Sequence, residues 1–445
     1  MASVCALALG GPLSGVADAK PPAPKAHVAA AQTRDRLAGL LASGAIDQPA
    51  YDRTAAAYDG AVKALATLKG DRLRELKAVV ATFDGIAARG QLSAGRLPAL
   101  VLTLEANLRW WTTQPLLRVG QRVSVPGSTL VWQHYAGLGI QIQWLATFGR
   151  ANALWEYKKK DPELRALLDE AIELATPRAG GIAWEYLFAF DGGKPPWVSG
   201  LAQGTALTAL ARAAVRLNDP RYFAAGRSAL GIFTVAPPEG VLEQTPVGAH
   251  FLQYSFAPGL HILNGFVQSL NGLSDFARLA NDDGARFLLM GGSNEALAEL
   301  PAFDTGGWSR YSNEGRDSDL GYHKVLRDFL RGLCSRGGDQ AFCAFADRLT
   351  ADLTTPPVLR IATPAKPPRQ RLKAALRFTL DKPARVTVSI TGPRAYSYSA
   401  SASFASGDRA FAWRPPRAGP YVVRLQGRDL AGNVAAVDAP LSVRR

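Results

Sequence analysis

Residues 195–214, PPWVSGLAQGTALTALARAA, join a proline-rich loop to an apolar helical segment. Apolar residues at spacings of three and four are typical of a packed helix. From about 119 to 350 the chain repeats this pattern, with helical segments joined by long loops rich in glycine, proline, aromatic and charged residues. Regular helices with elaborate connections predict an (α/α) barrel or toroid over residues 119–351, in which the loops at one end form a groove.

Both flanks of this region have a different character. Residues 27–118 are rich in Ala, Leu, Arg and Lys at helical spacing and predict an N-terminal helical region joined by short turns. Residues 352–370 are proline-rich and predict a linker. Residues 371–445 contain about seven runs that alternate with period two, which predict a small Ig-like β-sandwich. The predicted fold class is therefore mainly α, with a β-sandwich at the C-terminal end.

The composition restricts the partners. The chain has 445 residues, of which 47% are hydrophobic, and its formal net charge is +14. No apolar run reaches the roughly 18–20 residues that would cross a bilayer, so we expect no membrane span. A basic surface suits nucleic acid, anionic lipid or an acidic polysaccharide, although it can also be solvated without a particular partner. Signatures of nucleic-acid-binding motifs are missing, which disfavours nucleic acid.

The N-terminal segment and the cysteines bear on the compartment. Residues 1–26 contain a weakly apolar stretch followed by Ala17-Asp18-Ala19, which is similar to a signal-peptidase site, and then a flexible linker. No basic residue precedes the apolar stretch. We expect a secreted or cell-envelope protein. Cys334 and Cys343 flank a glycine-rich turn and form either a disulfide or two buried thiols.

Common catalytic motifs are absent from the sequence, and nothing has the spacing of metal ligands or a nucleotide-cofactor fold. We therefore expect neither a metal nor a cofactor. The candidate residues lie in loops. In the first loop, Trp197 could stack on a sugar and Gln203 could bind hydroxyl groups. The alternative is a hydrophobic lid followed by a helix start.

The second loop, residues 253–273, reads QYSFAPGLHILNGFVQSLNGL. Tyr254 precedes a Pro-Gly turn that opens an apolar helix. Asn264-Gly265 lies inside this helix, where glycine costs about 0.5–1 kcal/mol relative to alanine. Close approach of a neighbouring helix or of a ligand would explain it. His261 is expected to be a buried, hydrogen-bonded histidine.

The third loop, residues 303–323, reads FDTGGWSRYSNEGRDSDLGYH. It offers Tyr311 and Tyr322 together with Arg310, Arg316 and His323. An ordinary surface loop can have the same composition, so the loop alone does not decide between a site and a connection.

Four segments in this order resemble the C-terminal catalytic region of the D-glucuronyl C5-epimerases, which convert glucuronate to iduronate in heparosan-type chains. The segments are PPWVSGLAQGTALTALARA, YSFAPGLHILNGFVQSLNGL, LPAFDTGGWSRYS and DLGYHKVLRDFL. The resemblance covers residues 195–330 well and 130–350 loosely. It implies an (α/α) barrel and catalytic roles for Tyr254, Tyr311 and Tyr322.

The resemblance also implies how the reaction would proceed. Removing the C5 proton beside a carboxylate creates an enolate-like dianion, which Arg310 and Arg316 would stabilise. A tyrosine would act as acid or base if nearby cations lower its pKa. Trp197 and Trp308 would stack on sugar rings. The expected substrate-binding residues are Arg310, Arg316, His323, Trp197, Gln203, Asn264 and Trp308.

The chain departs from the family at Gln253, where a glutamate usually precedes the first tyrosine. Tyr322 is assigned to one face of the sugar, and Tyr254 or Tyr311 to the other. Alternatively, Glu243 or Glu185 replaces the missing glutamate. The β-rich N-terminal region of animal relatives is also replaced by helices.

The expected function is a uronate C5-epimerase acting on a glucuronate-containing acidic polysaccharide. Two alternatives use the same groove: a uronate lyase and a non-catalytic glycan-binding protein. A further alternative is a cell-wall structural protein whose Ig-like module is the active part. The oligomeric state stays open, with a homodimer as one option.

Overall fold

The computed structural model describes residues 26–445, with the backbone alone for residues 26–28. The predicted signal-like sequence lies outside the described residues. The chain divides into two compact units. The first unit contains residues up to Gly259 together with Gln268–Gly292, and the second contains Leu260–Val267 and Ser293–Arg445.

Helices dominate the chain up to residue 352, as predicted. They are α1 (Ala26–Ala42), α2 (Gln48–Ala64), α3 (Gly70–Ala88), α4 (Leu97–Thr113), α5 (Trp144–Trp155), α6 (Asp161–Glu173), α7 (Gly200–Arg216), α8 (Arg221–Ala229), α9 (Leu263–Leu279), α10 (Asp283–Glu299), α11 (Leu320–Ser335) and α12 (Gln340–Asp352). Within the described part of the chain, no helix combines the length and the apolar character needed to span a membrane.

Short strands occupy several of the long connections of the first unit. They are β1 (Arg122–Val123), β2 (Trp132–Tyr135), β3 (Gly139–Ile142), β4 (Thr176–Arg178), β5 (Gly181–Ala183), β6 (Leu242–Gln244) and β7 (Ala249–Phe251). Strands β1–β3 form one antiparallel sheet, and β4–β5 and β6–β7 form two-stranded ribbons.

The predicted N-terminal helical region lies in the same compact unit as the helices that follow it. Two buried side chains join it to the β2–β3 hairpin. Asn107 on α4 donates to the Ile140 carbonyl and accepts from the Ile140 amide, at 2.7 and 2.8 Å. Glu75 on α3 accepts from the amides of Gly137 and Gly139 at 2.9 and 3.0 Å. Because a broken contact would leave buried polar groups unpaired, these helices are tied to the rest of the unit.

Helix α7 begins within the stretch 195–214. Ser199 caps it by accepting from the Ala202 amide at 3.4 Å, which satisfies one free donor of the first turn. The helix is buried almost throughout. Gly204 lets α9 come close, since a Cβ at this position would lie 2.6 Å from the Ser269 Cα. Gly272 on α9 faces the Gly204 backbone in the same way.

The helices of the first unit pack mainly as the pairs α2/α4, α3/α4, α5/α7 and α7/α8. These pairs are the building blocks that an (α/α) barrel requires. They do not by themselves close a ring, so the structure supports the predicted helical class without showing a closed barrel.

In the second unit, α11 and α12 form an antiparallel hairpin. Cys334 and Cys343 are joined by a disulfide across its turn, with their Cα atoms 5.3 Å apart. Of the two alternatives that the sequence left open, the disulfide is therefore confirmed.

Replacing both cysteines, Cys334 and Cys343, by serine should lower the free energy of unfolding by about 2–3 kcal/mol, because the cross-link restricts the unfolded chain. Chemical denaturation measures the change. A reductant should destabilise the native protein by the same amount and leave the double variant unaffected. Equal midpoints for the two proteins without reductant would contradict the prediction.

The C-terminal region, called the β region here, consists of seven strands. They are β8 (Leu359–Ile361), β9 (Ala374–Leu380), β10 (Ala384–Gly392), β11 (Tyr396–Phe404), β12 (Gly407–Trp413), β13 (Gly419–Asp429) and β14 (Val434–Val443). One sheet has the order β11-β10-β13-β14, and the other has the order β12-β9-β8. All pairings are antiparallel.

Both sheets contribute to one buried core, in which Phe378 and Trp413 of the smaller sheet lie in the same cluster as Val388 and Leu425 of the larger. The predicted strand pattern of period two is therefore confirmed, while the Ig-like assignment stays a prediction. The predicted linker 352–370 needs a correction, because it contains strand β8. Leu359 is buried in this core and holds the segment against the sheet.

Candidate functional site

Two of the three tyrosines meet in the loop 303–323 of the second unit. The ring centres of Tyr311 and Tyr322 are 4.7 Å apart, and their hydroxyl groups share a hydrogen bond. The Tyr311 amide donates to the Arg316 carbonyl at 2.6 Å, which closes a tight turn. Asp319 caps α11 by accepting from the Tyr322 amide at 2.8 Å, so the helix start fixes the position of Tyr322.

The two arginines of this loop have different surroundings. The Arg316 guanidinium is exposed and lies 5.1 Å from the centre of the Tyr311 ring. Arg310 is half-buried and donates to the Ala302 carbonyl at 2.8 Å. Arg316 is therefore the cation best placed to meet a carboxylate beside the tyrosine pair.

The predicted lowering of a tyrosine pKa does not occur at Tyr322. Burial raises the pKa of this phenol, and the neighbouring Tyr311 and Asp319 raise it further, whereas Arg316 opposes them only weakly. Removing the phenol from water disfavours the charged form more than the single exposed cation favours it. Tyr322 thus stays protonated at neutral pH, which suits a proton donor.

The substrate-binding roles predicted for His323 and Trp308 require a correction. Both side chains are fully buried, and their rings stack at 3.7 Å. His323 Nδ1 lies 3.0 Å from Ser309 Oγ, and its Nε2 lies 2.9 Å from the Leu349 carbonyl oxygen. Burial lowers the pKa of His323 to about 4, so the ring is neutral. Neither ring face is open to a sugar, and both residues pack beneath the loop.

Tyr254 lies in the first unit among aromatic rings. Its ring stacks on Phe256 at 5.2 Å and meets the edge of Trp197 at 5.8 Å. Its hydroxyl oxygen accepts from Gln253 Nε2 at 2.7 Å. Gln253 is buried, and its Oε1 has no hydrogen-bond partner among the described residues. The amide that replaces the expected glutamate therefore donates to this tyrosine.

Trp197 and Gln203 also differ from the prediction, because both are buried. Trp197 donates its indole N–H to the Phe188 carbonyl at 2.8 Å and stacks on Tyr186 at 4.3 Å. Gln203 donates to the Trp184 carbonyl at 3.0 Å. All of these contacts lie within the first unit and leave neither side chain free for a sugar. The alternative reading, a hydrophobic lid and a helix start, agrees with the structure.

Glu185 is unsuited to replace the missing glutamate. It is buried and accepts from Arg96 Nε at 2.7 Å and from Arg178 Nη1 at 2.5 Å. Both carboxylate oxygens are therefore already engaged by guanidinium groups and are not available to a substrate. Glu243 accepts from the Gly259 amide at 2.9 Å and thereby holds the turn that follows Tyr254.

The change Glu185→Ala should destabilise the first unit by about 3–5 kcal/mol, because it leaves two inward-facing arginines without their anion. Thermal or chemical unfolding measures the loss. Glu239→Ala is the matched control: its side chain is 64% exposed and lies 3.9 Å from Arg178. That control should cost about 0–1 kcal/mol. Equal losses in the two variants would refute a structural role for Glu185.

Asn264 and His261 lie in the second unit. Asn264 is buried, and its Nδ2 finds no hydrogen-bond acceptor within the part of the chain that the structure describes. His261 Nδ1 lies 2.6 Å from Glu299 Oε1, which confirms the predicted hydrogen bond, although the His261 side chain is half-buried and not fully buried as predicted. A substrate-binding role for Asn264 stays a prediction.

Comparisons with known proteins find similarity in the central region of the chain. Residues 180–351 match the family model described as D-glucuronyl C5-epimerase C-terminus. A D-glucuronyl C5-epimerase of Caenorhabditis elegans is 29% identical over 174 residues, which cover 35% of this chain and 28% of the relative. The uncharacterized protein MJ1128 of Methanocaldococcus jannaschii is 25% identical over 171 residues, which cover 37% of this chain and 56% of that protein. The chain thus spans about a quarter of the first relative and little more than half of the second.

Similar solved structures include the cellobiose 2-epimerase of Spirochaeta thermophila, with 12% identity, a TM-score of 0.36 and coverage of 64% of this chain and 73% of that one. A D-mannose isomerase has 11% identity, a TM-score of 0.36 and coverage of 75% and 88%. These similarities are too low to carry the fold assignment, which rests on the described helices. The matched segment contains Tyr254, Tyr311 and Tyr322 and ends before β8. Residues 180–351 are therefore similar to the D-glucuronyl C5-epimerase C-terminus, as the sequence motifs predicted.

Proposed function

We propose that this protein is a uronate C5-epimerase that converts D-glucuronate to L-iduronate residues in an acidic polysaccharide. The observation that carries the proposal is the hydrogen-bonded pair Tyr311 and Tyr322, which lies beside Arg316 inside the segment that matches the family. The net charge of +14 supports an anionic substrate.

The chemistry follows from the surroundings of these groups. A base takes the C5 proton, and the electron pair of the C–H bond delocalises into the adjacent carboxylate as an enolate-like dianion. The exposed Arg316 guanidinium stabilises this charge, since it stays ionised and its fork matches a carboxylate. Arg310 is held by the Ala302 carbonyl and adds positive potential.

Tyr322 supplies the new proton. Its phenol is protonated at neutral pH, and a weakly acidic donor matches a strongly basic carbanion. As the O–H bond breaks, the new C5–H bond forms, and the nearby Arg316 is the group that favours the resulting Tyr322 phenolate, since it lowers the pKa of this phenol. Protons exchanged with solvent then restore the phenol and the base. The proton transfer on the second face stays a prediction for Tyr254 or Tyr311, as the resemblance implies.

The second candidate is a non-catalytic glycan-binding relative. Gln253 favours it, because an amide cannot exchange protons usefully and donates to the Tyr254 hydroxyl in place of a carboxylate. Under this alternative the protein would bind uronate polymers without turnover.

We also propose that the protein is exported, which suits the same substrate class. The disulfide between Cys334 and Cys343 is typical of proteins that fold in an oxidising compartment. We therefore place the protein outside the cytoplasm or in the cell envelope, where acidic polysaccharides are found.

Deuterium exchange at C5 tests the proposal. The protein is incubated in D₂O with heparosan-type and other glucuronate polymers, and NMR follows deuterium at C5 and new iduronate signals. Exchange together with iduronate is expected. An ultraviolet-absorbing unsaturated uronate would indicate a lyase, and binding without exchange would indicate the glycan-binding alternative.

A further inference from the structure

The β region contacts the loop that carries Tyr311, and all of these contacts lie within the second unit. Lys382, in the turn between β9 and β10, is fully buried. Its ammonium group donates to the carbonyls of Asp352 and Thr355 at 2.9 and 2.8 Å and lies 3.6 Å from the Asp429 carboxylate. It also lies 5.6 Å from the centre of the Trp308 ring. A buried lysine of the β region thus packs against Trp308, which lies beneath the loop.

The same turn touches the start of the loop through its backbone. Thr305 Oγ1 donates to the Asp381 carbonyl at 2.6 Å. Gly307 lies so close to Asp381 that a Cβ on the glycine would be 2.5 Å from the carboxylate oxygen. The approach therefore requires the absence of a side chain at position 307.

The far side of the loop is held by Asp317. Its two carboxylate oxygens accept from the Ser406 amide at 2.6 Å and from the Ser406 hydroxyl at 2.8 Å. Ser406 lies in the turn between β11 and β12. Asp317 follows Arg316 directly and pairs with Arg310 in an isolated bridge. A charge-assisted pair of hydrogen bonds thus clamps the segment that presents both arginines.

We propose that the β region is a working part of the active site, in which the β9–β10 and β11–β12 turns hold loop 303–323 in the conformation that presents Tyr311, Arg316 and Tyr322. We call the two hydrogen bonds between Asp317 and Ser406 the clamp, and Asp317 is its positioning residue. The inference rests on the proposed function for its catalytic consequence. It differs from the common role of such modules, which is to space or anchor an enzyme, because a spacer needs no buried contacts with a catalytic loop.

The clamp matters because misplacement of a catalytic group by about 1 Å can cost roughly 10²-fold in rate. Losing the Asp317 carboxylate removes both hydrogen bonds to Ser406. The turn that holds Arg316 then moves more freely, while the buried core of the β region is untouched. A fall in kcat that exceeds the change in KM is the signature of lost positioning.

The test compares Asp317→Ala with Asp408→Ala in the full chain. Asp408 is an exposed acid in β12, close to Ser406, and its side chain makes no hydrogen bond within the described residues. Two readouts are used: amide hydrogen exchange of residues 309–323, and kcat and KM in the C5 exchange assay. For Asp317→Ala we expect about tenfold faster amide exchange and a fall of roughly 10- to 100-fold in kcat. Asp317→Asn keeps one acceptor oxygen. It should therefore retain part of the slow amide exchange and part of the kcat of the native protein.

Amide exchange of Asp317→Ala equal to that of Asp408→Ala would overturn the proposal. Faster amide exchange with unchanged kcat would also overturn it, since the clamp would then not serve catalysis. If the native protein shows no turnover, the proposed function fails separately, and the amide exchange of the two variants alone decides whether the β region holds the loop. Ser406→Ala, which keeps the amide donor, should give a smaller effect in the same direction.

Discussion

Tyr322→Phe should lower turnover by about 10²–10⁴-fold, the usual contribution of a positioned acid or base. Only the phenol oxygen is lost, so the ring contact with Tyr311 and the helix cap by Asp319 persist. Stability should change by about 1 kcal/mol or less, because one hydrogen bond is removed. The C5 deuterium exchange rate and the thermal midpoint measure the two effects.

Tyr157→Phe is the matched control for this change. Tyr157 is 57% exposed and lies after α5, outside the segment that matches the family. Removal of the Tyr157 hydroxyl group should leave both turnover and stability unchanged. Normal turnover of Tyr322→Phe would refute the proton-donor role, and a large fall in its thermal midpoint would mean that the phenol is structural.

Gln253→Glu should raise turnover by about 10²-fold or more, because the introduced carboxylate can accept a proton where the amide cannot. In the native protein Gln253 Nε2 donates to the Tyr254 hydroxyl. A carboxylate at this position would reverse that hydrogen bond and accept from the phenol. Since the site is buried, a stability loss of about 1–3 kcal/mol should accompany the gain.

Gln253→Ala separates the two contributions of the side chain. It removes the donor without adding a base, so it should show no gain in turnover. If Gln253→Glu shows no gain either, the missing base lies elsewhere or the protein binds glycans without turning them over. The Glu185→Ala variant adds nothing to this question, because that carboxylate is engaged by Arg96 and Arg178.

Local sequence patterns predicted the elements of the fold. Spacings of three and four predicted the helices, and alternation of period two predicted β9 to β14. Two cysteines flanking a short turn allowed the observed disulfide as one of two alternatives. The order of four motifs predicted the similarity of residues 180–351 to the D-glucuronyl C5-epimerase C-terminus. Each of these features is encoded within a short stretch, so its prediction needs no knowledge of distant residues.

The extent of burial could not be read in the same way. Trp197, Gln203, Trp308 and His323 have side chains suited to binding a sugar, yet all four are buried. Their surroundings come from residues far along the chain, such as Leu349 for His323. Packing by distant residues also raises the pKa of Tyr322, because the effect of burial outweighs that of the neighbouring Arg316.

The sequence by itself determined the helical character of the chain up to residue 352 and the strand pattern of β9 to β14. It also determined which region carries the family motifs and which tyrosines stand in them. Only the tertiary structure decided which of those polar and aromatic side chains are exposed and what holds them. The contact between Asp317 and Ser406 spans 89 residues, and that between Thr305 and Asp381 spans 76. Neither partner has a distinctive local pattern, because a hydrogen bond between distant segments depends on how the chain packs and not on neighbouring residues.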